Sequence, residues 1–396
     1  MKKKLLVVIE AIQMNGAIKG WLGYLDAIDK NEWDVDVFLF DATKYDGIDL
    51  PNYVRRLPED IHCVIERVGL MAAIKYTVRR GRFDLAFKRI IYSILYRWFT
   101  GFQKWNLISP AKRQVEHYDV AIGSSQGVSW QYVAEKVDSR VKLLWVDTDV
   151  RAGYWKRTWN HFKRFVPACS GIVCVSESMR DAMRMDNPQW ENKIFSVNYV
   201  IDDKRILKMG NEPSPFPSSS RLRLVTVGRY SREKGQHLIP AIAGRLAKNG
   251  LDFEWYVVAP GSSAHMEQIT SDLVAETVSN RVVFTDGMAN PFPVVRSSDI
   301  SVQPSSFEGF GLTVSEAMIL GVYVVASDLP SFREQIRNES EGILAKSIDV
   351  DGFVDAILRA VQIIREGKVC QCYKTPYSAK KTYQQILQVT CQSKCD

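Results

Sequence analysis

Short, nearly continuous apolar runs recur along the chain, separated by stretches with helical spacing. In the first half the runs are LLVVIEA, VDVFLFD, IHCVIE, DVAIGSS, KLLWVDT, GIVCVSE and FSVNYVI. In the second half they are LRLVTVG, FEWYVVAPG, RVVFTDG, DISVQPS, YVVASD and GILAKS. Strands that are apolar at consecutive positions, rather than at alternate ones, are buried on both faces. That pattern predicts an α/β protein with parallel sheets covered by helices. After the strand from Leu222 to Arg229, Leu238, Ile239, Ile242 and Leu246 carry helical spacing, so Lys234 and Gly235 are expected to open a helix. PYSAKKTYQQILQV, near the end of the sequence, also reads as a helix.

Length and composition point to two domains. A chain of 396 residues exceeds one typical domain, and an apolar fraction of 46% can fill two cores. No internal repeat of solenoid length is present. The stretch from Asn211 to Arg221, rich in Pro and Ser, is the clearest linker. LLVVIEAI is short and contains Glu10, so it reads as a core strand rather than a leader. No run approaches the roughly 18 uncharged apolar residues of a spanning helix. A cytoplasmic protein is expected, or one peripheral on the inner face of the cell membrane. The seven cysteines, odd in number and without a secretory leader, suggest reduced thiols.

The net charge of +7 is not spread evenly. From Arg67 to Arg113 there are eleven Lys or Arg and one acid, Asp84, so the rest of the chain is slightly acidic. Within that stretch Phe87, Ile90, Ile91, Ile94, Leu95, Trp98 and Phe102 follow helical spacing. Lys88, Arg89, Arg97 and Lys104 lie around them, with Tyr92, Tyr96 and Trp105 available for an interface. A basic amphipathic helix with aromatics suits an anionic membrane surface. The same pattern fits a stripe packed in the core with solvated charges. No nucleic-acid motif accompanies the run, so nucleic acid is not an expected partner.

The chemistry concentrates in FEGFGLTVSEAMILG. Glu308 and Glu316 bracket a Gly-rich turn between a strand and a helix. Gly309 and Gly311 let a backbone approach a ligand closely. The first N–H groups of a helix lack internal partners and favour an anion. Carboxylates accept strong hydrogen bonds from sugar hydroxyls. A ligand anionic in the middle and rich in hydroxyls at both ends, such as a nucleoside-diphosphate sugar, suits this set. Arg229, at the end of its strand, and Lys234 add two cations where open α/β sheets bind ligands. They could neutralise a diphosphate and stabilise charge on a departing nucleotide.

The motifs VGRYSREKG, EGFGLTVSEA and GVYVVASDLPSFREQI resemble the donor-site signature of retaining glycosyltransferases of family 4. The resemblance covers most of the C-terminal half. It implies the GT-B fold, with two Rossmann-like domains whose parallel sheets face a central cleft. The implied boundaries are 1–203 for an acceptor-binding domain, 204–375 for a donor-binding domain, and 376–396 for a last helix crossing back onto the first domain. By motif position Glu308 would contact the donor sugar and Glu316 the nucleotide ribose. Arg229 and Lys234 would hold the diphosphate, with Gly311, Leu312 and Thr313 contributing backbone or hydroxyl contacts.

In the N-terminal half the family often has paired glycines near the diphosphate. Here the pair is Asn15-Gly16, so only Gly16 keeps full backbone freedom. Capsule-type relatives carry W-I-H-x-D on a later strand, with the His beside the donor sugar. This chain has Asp147 where that His would stand. Asp147 is then expected to accept a sugar hydroxyl in its place, or to mark an altered donor or reduced activity. Asp147-Thr148-Asp149 is also literally a D-x-D, the pattern that elsewhere holds a divalent metal, although the resemblance implies no metal and no cofactor beyond the donor. The implied activity is transfer of a sugar to a hydroxyl of a lipid-linked saccharide in bacterial surface polysaccharide synthesis. A nucleotide-sugar epimerase of the same fold, or a non-catalytic nucleotide-sugar-binding protein, fits the same motifs. Incubation with nucleotide sugars and an acceptor separates these.

Overall fold

The structure, a computed structural model, describes residues 2–11, 16–41, 50–98, 110–148, 159–217, 219–259, 271–272, 277–285, 287–368, 373 and 375–392. Asn15, Phe102, Lys104, Trp105 and Asp149 lie outside the described residues, as do the side chains of Tyr96, Arg97 and Trp98. The chain divides into two units, Met1–Val200 together with Ala379–Asp396, and Ile201–Ser378.

In the first unit the strands are β1 (Lys3–Ala11), β2 (Trp33–Asp41), β3 (Val54–Arg56), β4 (His117–Gly123), β5 (Asp138–Val146), β6 (Gly171–Cys174) and β7 (Ile194–Ser196). They form a parallel sheet in the order β3-β2-β1-β4-β5-β6-β7. The central strand β1 buries Leu5, Leu6, Val7 and Val8 in succession, as a strand covered on both faces must. In the second unit the strands are β8 (Leu222–Val227), β9 (Phe253–Val258), β10 (Val282–Thr285), β11 (Ile300–Gln303), β12 (Tyr323–Ser327) and β13 (Gly342–Ala345). Their order is β10-β9-β8-β11-β12-β13, again parallel. Ile239, Ile242 and Leu246 of the helix Ile239–Lys248, and Phe353 and Ile357 of Val350–Arg365, pack with Leu224, Trp255, Ile300 and Val325 in its core.

Each sheet reverses its strand order once, at β1/β4 and at β8/β11. Crevices at the carboxyl ends of such neighbours are where open α/β sheets take ligands.

Several local expectations are corrected. IHCVIE is not a strand; Ile61–Arg67 is a helix. Asp60 starts it by accepting the His62 N–H at 2.8 Å, and Cys63, Val64 and Ile65 are all buried. A short apolar run cannot distinguish strand from buried helix, and the Asp cap decides it. Lys234 and Gly235 do not open the α-helix. Two 3₁₀ turns, Arg232–Lys234 and Gln236–Leu238, flank Gly235, and the α-helix begins at Ile239, with Pro240 in its first turn. The edge strand β3 carried no apolar run and was not expected.

The run 211–221 lies within the second unit, where Phe216 stacks on Tyr256 with ring centroids 4.0 Å apart. In the first unit, the helix Ala379–Gln392 packs against Gly16–Ala27, and Thr382 Oγ1 donates to the Asn198 carbonyl at 3.2 Å.

The amphipathic run forms the helix Phe83–Trp98. Its inner side carries Leu85 and Ala86, and Phe87, Ile90, Ile91 and Ile94 are exposed. That stripe is therefore not core. Arg89 is not a solvated charge beside it either. Arg89 is buried, and its guanidinium donates to the carbonyls of Ile65 at 2.9 Å and Val68 at 3.3 Å. Those two carbonyls lie at the C-terminal end of the helix Ile61–Arg67, where a cation is favourable. Among the described residues no helix is long and apolar enough to cross a membrane.

Candidate functional site

Two loops at the carboxyl ends of β8 and β11 build the site of the second unit. β11 is fully buried and stops at Pro304, which cannot donate to a ladder. The loop after β8 comes back against it at Gly235, whose φ is 73°. A Cβ at Gly235 would fall on the Pro304 carbonyl oxygen. The backbone N–H of Ser306 donates to the Glu233 carbonyl at 2.8 Å, joining the loops directly.

This pairing brings Lys234 to Glu308. The ammonium donates to Glu308 Oε1, which also accepts from Ser305 Oγ at 2.8 Å. Ser331 Oγ donates to the Glu308 carbonyl at 3.1 Å. Gln335, almost wholly buried, donates to the Phe310 carbonyl at 2.6 Å and accepts from Ser315. The Gly-rich turn is thus fastened to the elements on both sides of it. Gly311 adopts φ 86° and precedes the helix Leu312–Ile319, whose start has no side-chain cap. A Cβ at Gly311 would run into the Phe332 ring. Leu312 and Thr313 begin the helix, partly exposed, and Glu316 sits one turn in with 8% exposure. Arg229 lies just beyond β8 as an exposed side chain. Its carbonyl and that of Gly228 accept from Gln236 Nε2.

Chemically, the second unit places a paired ammonium and carboxylate, an uncapped helix start and a buried helix carboxylate together at its β8/β11 end. Uncapped N–H groups and a cation suit a polyanion, and carboxylates suit hydroxyls. Sequence reasoning did not single out Ser305, Ser331 or Gln335, although SFREQI contains the last two.

Gly235→Ala is expected to lower stability by more than the roughly 1–2 kcal/mol that a left-handed conformation alone imposes on a side chain. The Pro304 contact adds to that strain. Gly250→Ala is the control, since Gly250 has φ 76° and open space at its Cβ position. Thermal melting should show the larger loss at Gly235; equal losses would mean the loops relax apart freely.

Asp147 and Gly16 belong to the first unit, so neither is part of the group just described. Gly16 is the first residue of the helix Gly16–Ala27. Asp147 follows β5. Its Oδ1 accepts from the Tyr199 hydroxyl at 2.6 Å, and its N–H donates to Gln126 Oε1 at 2.9 Å. Gln126 Nε2 in turn donates to the Thr148 carbonyl at 2.7 Å. The residue is partly exposed as a whole, but Oδ2 is enclosed and makes no hydrogen bond among the described residues. Burial pushes the Asp147 carboxyl up to about 7; Glu10 adds to the rise and the Tyr199 hydrogen bond opposes it.

Glu10 is a second buried acid, at the end of β1. It accepts the Ser129 N–H at 3.3 Å, in the first turn of the helix Val128–Lys136, and pairs with Arg67 at 3.4 Å. Burial raises its carboxyl, against the pull of Arg67 and Ser129. Gly127 leaves room for it, since a Cβ there would meet Glu10 Oε1. Glu10 therefore supplies the anion at that helix start. Among the described residues no group of three or more His, Cys, Asp or Glu could hold a metal ion.

Comparison with known proteins fits this geometry. Residues 221–362 match the family model described as Glycosyl transferases group 1. The chain is 32% identical over 134 residues to the lipopolysaccharide core biosynthesis mannosyltransferase LpsB of Rhizobium meliloti, covering 33% of this chain and 38% of that protein. It is 25% identical over 134 residues to the Escherichia coli UDP-Gal:alpha-D-GlcNAc-diphosphoundecaprenol alpha-1,3-galactosyltransferase, covering 34% and 35% of the two chains. The matches thus span little more than a third of these relatives. Among solved structures, Anabaena HepE in complex with UDP and glucose aligns with a TM-score of 0.68 at 13% identity, over 98% of this chain and 99% of that one. A likeness at that identity establishes the fold, which is GT-B.

Proposed function

We propose that the protein is a glycosyltransferase. It moves a sugar from a nucleoside-diphosphate donor to a hydroxyl of a lipid-linked saccharide, with retention at the anomeric carbon, in bacterial surface polysaccharide synthesis. The observation that carries this is the meeting of Lys234 and Glu308 beside the uncapped start of Leu312–Ile319. It falls inside the segment matched to Glycosyl transferases group 1. A lipid-linked acceptor is supported by the diphosphoundecaprenol in the name of the E. coli relative.

In this account the diphosphate takes the helix N–H groups of Leu312 and Thr313 and the charges of Arg229 and Lys234. Glu316 accepts from the ribose hydroxyls, and Glu308 from the sugar. As the bond from the anomeric carbon to the diphosphate breaks, the carbon becomes cationic in character and negative charge grows on the departing oxygen. Fixed cations and N–H dipoles aimed at that oxygen lower the barrier. The acceptor oxygen bonds to the same face of the anomeric carbon, and its proton passes to the departing phosphate. By motif position alone, the resemblance also assigns a sugar hydroxyl to Asp147 and close backbone approach to Gly16. No metal is needed where these groups neutralise the diphosphate.

Thermal-shift screening against UDP-, GDP- and dTDP-sugars, followed by transfer to a lipid-linked saccharide, tests this. Transfer that survives a chelator is the expected result. Donor isomerised without acceptor would make the protein an epimerase, and binding without turnover a sensor. Activity lost to a chelator and restored by manganese would overturn the metal-free account.

The acceptor's lipid implies a surface to work at. The helix Phe83–Trp98 exposes Phe87 at 66% and Ile94 at 52%, with Lys75, Arg79, Arg80, Arg82 and Lys88 close by in sequence. Apolar side chains among cations suit an anionic bilayer surface. The protein is expected to co-sediment with phosphatidylglycerol vesicles at low salt, and Phe87→Glu with Ile94→Glu to abolish this. Absence of wild-type binding would remove membrane docking from the account.

A further inference from the structure

We propose that Ser305 is a positioning residue of the donor site: its hydroxyl holds the Glu308 carboxylate in place when a diphosphate draws Lys234 away, so that Oε2 stays available to the sugar. This rests on the proposed function for the ligand, and on geometry for the hold. Every group involved lies in the second unit. Lys234 and Ser305 both donate to the same oxygen, Glu308 Oε1, the serine at 2.8 Å. Oε2 makes no hydrogen bond among the described residues and is not enclosed. The Glu308 side chain is 10% exposed and that of Lys234 28%, so both can be reached from solvent. Ser305, in contrast, is fully buried, and the bond to Glu308 is its hydroxyl's one hydrogen bond among the described residues.

The two donors differ in what holds them. Lys234 reaches Glu308 from the loop after β8 on a flexible four-carbon stem, as a point charge. A nucleoside diphosphate carries more negative charge than one carboxylate, so a bound donor competes for that ammonium. Ser305 stands three residues before Glu308 on a segment that is fastened at several points. Pro304, just before it, sets its carbonyl against Gly235. The Ser306 N–H donates to the Glu233 carbonyl at 2.8 Å, and the Glu308 carbonyl accepts from Ser331 at 3.1 Å. The Ser305 hydroxyl is closed to water, so breaking its bond would leave a buried donor unpaired. A hydrogen bond to a carboxylate is comparable with the rotamer freedom that a glutamate gives up when fixed, so this one bond keeps Oε1 in place. Without it, a diphosphate that took Lys234 would also free the Glu308 side chain, just when its second oxygen is required by the sugar.

Lys234→Ala imitates the state in which the ammonium has been taken. Crystal structures of ligand-free Lys234→Ala, with and without Ser305→Ala, therefore read the hold directly. Glu308 Oε1 should remain on Ser305 in the single variant, and the side chain should lose its one orientation in the double. Glu308 turned away from Ser305 in Lys234→Ala overturns the proposal. Calorimetry and kinetics with the nucleotide sugar selected by the thermal-shift panel read the consequence. Ser305→Ala should lower kcat/KM for the donor by roughly ten- to a hundredfold, the worth of one hydrogen bond to a charged group. Affinity for the bare nucleoside diphosphate should be unchanged. In a Glu308→Ala background the same substitution should cost almost nothing further, whereas a merely structural serine would cost as much in both. Melting temperatures confirm that each variant is folded. An equal loss in both backgrounds, or an equal loss for nucleotide sugar and bare diphosphate, also overturns the proposal. Wild-type protein that binds none of the nucleotide sugars would instead remove the glycosyltransferase account, while the crystal structures still decide whether Ser305 holds Glu308.

Discussion

Replacing Lys234 by alanine is expected to cut turnover by about a hundredfold to a thousandfold, the range lost when one preorganised donor to a developing charge is removed. The ammonium is held by Glu308 and only partly exposed, so it is already in place before charge develops. A donor diphosphate competes with Glu308 for that ammonium. In the variant Glu308 keeps Ser305 as its donor but loses its countercharge. A bare carboxylate beside a diphosphate should also raise the KM for donor. Turnover at saturating donor is the discriminating measurement, with the melting temperature in parallel. Turnover close to wild type would separate Lys234 from the departing nucleotide.

Glu316→Ala is expected to act on affinity instead. Its carboxylate lies one turn inside a helix whose start would hold the diphosphate, where the attached ribose can reach it. A hydrogen bond to a charged group is worth about 1.5–3 kcal/mol, so nucleoside-diphosphate affinity should fall by roughly ten- to a hundredfold. Alanine is the best helix former, so the helix Leu312–Ile319 should persist. Calorimetry with a nucleoside diphosphate and its deoxyribose counterpart separates a ribose contact from a general disturbance. The loss should shrink for the nucleotide lacking the contacted hydroxyl. An equal loss for both would mean that Glu316 shapes the helix rather than holding the sugar.

What could be read from the chain was what is local in it. The runs of β1 and β12 are apolar at consecutive positions, and their parallel, doubly covered strands follow from that pattern. The Gly-rich turn with Glu308 and Glu316 is likewise complete within a dozen residues. The supports were not legible because they come from far along the chain. Lys234 and Glu308 are 74 residues apart, Tyr199 and Asp147 are 52 apart, and Glu10 reaches Ser129 across 119. Nothing in VNYVI marks its tyrosine as a partner for the acid just beyond β5. Glu10 counted in the sequence only against a leader peptide, yet it supplies the anion at a helix start. Ile61–Arg67 was misread because a short buried helix and a buried strand share one composition. Arg89 was misread because charge counting cannot see the two carbonyls that take its guanidinium.

A crystal structure with bound nucleotide, using whichever of UDP, GDP or dTDP raises the melting temperature most, bears on the whole account. The expected result is a diphosphate at the start of Leu312–Ile319, with an oxygen within hydrogen-bond reach of Lys234 Nζ and the ribose on Glu316. A nucleotide seated elsewhere, or one whose phosphates avoid that helix start, would contradict it.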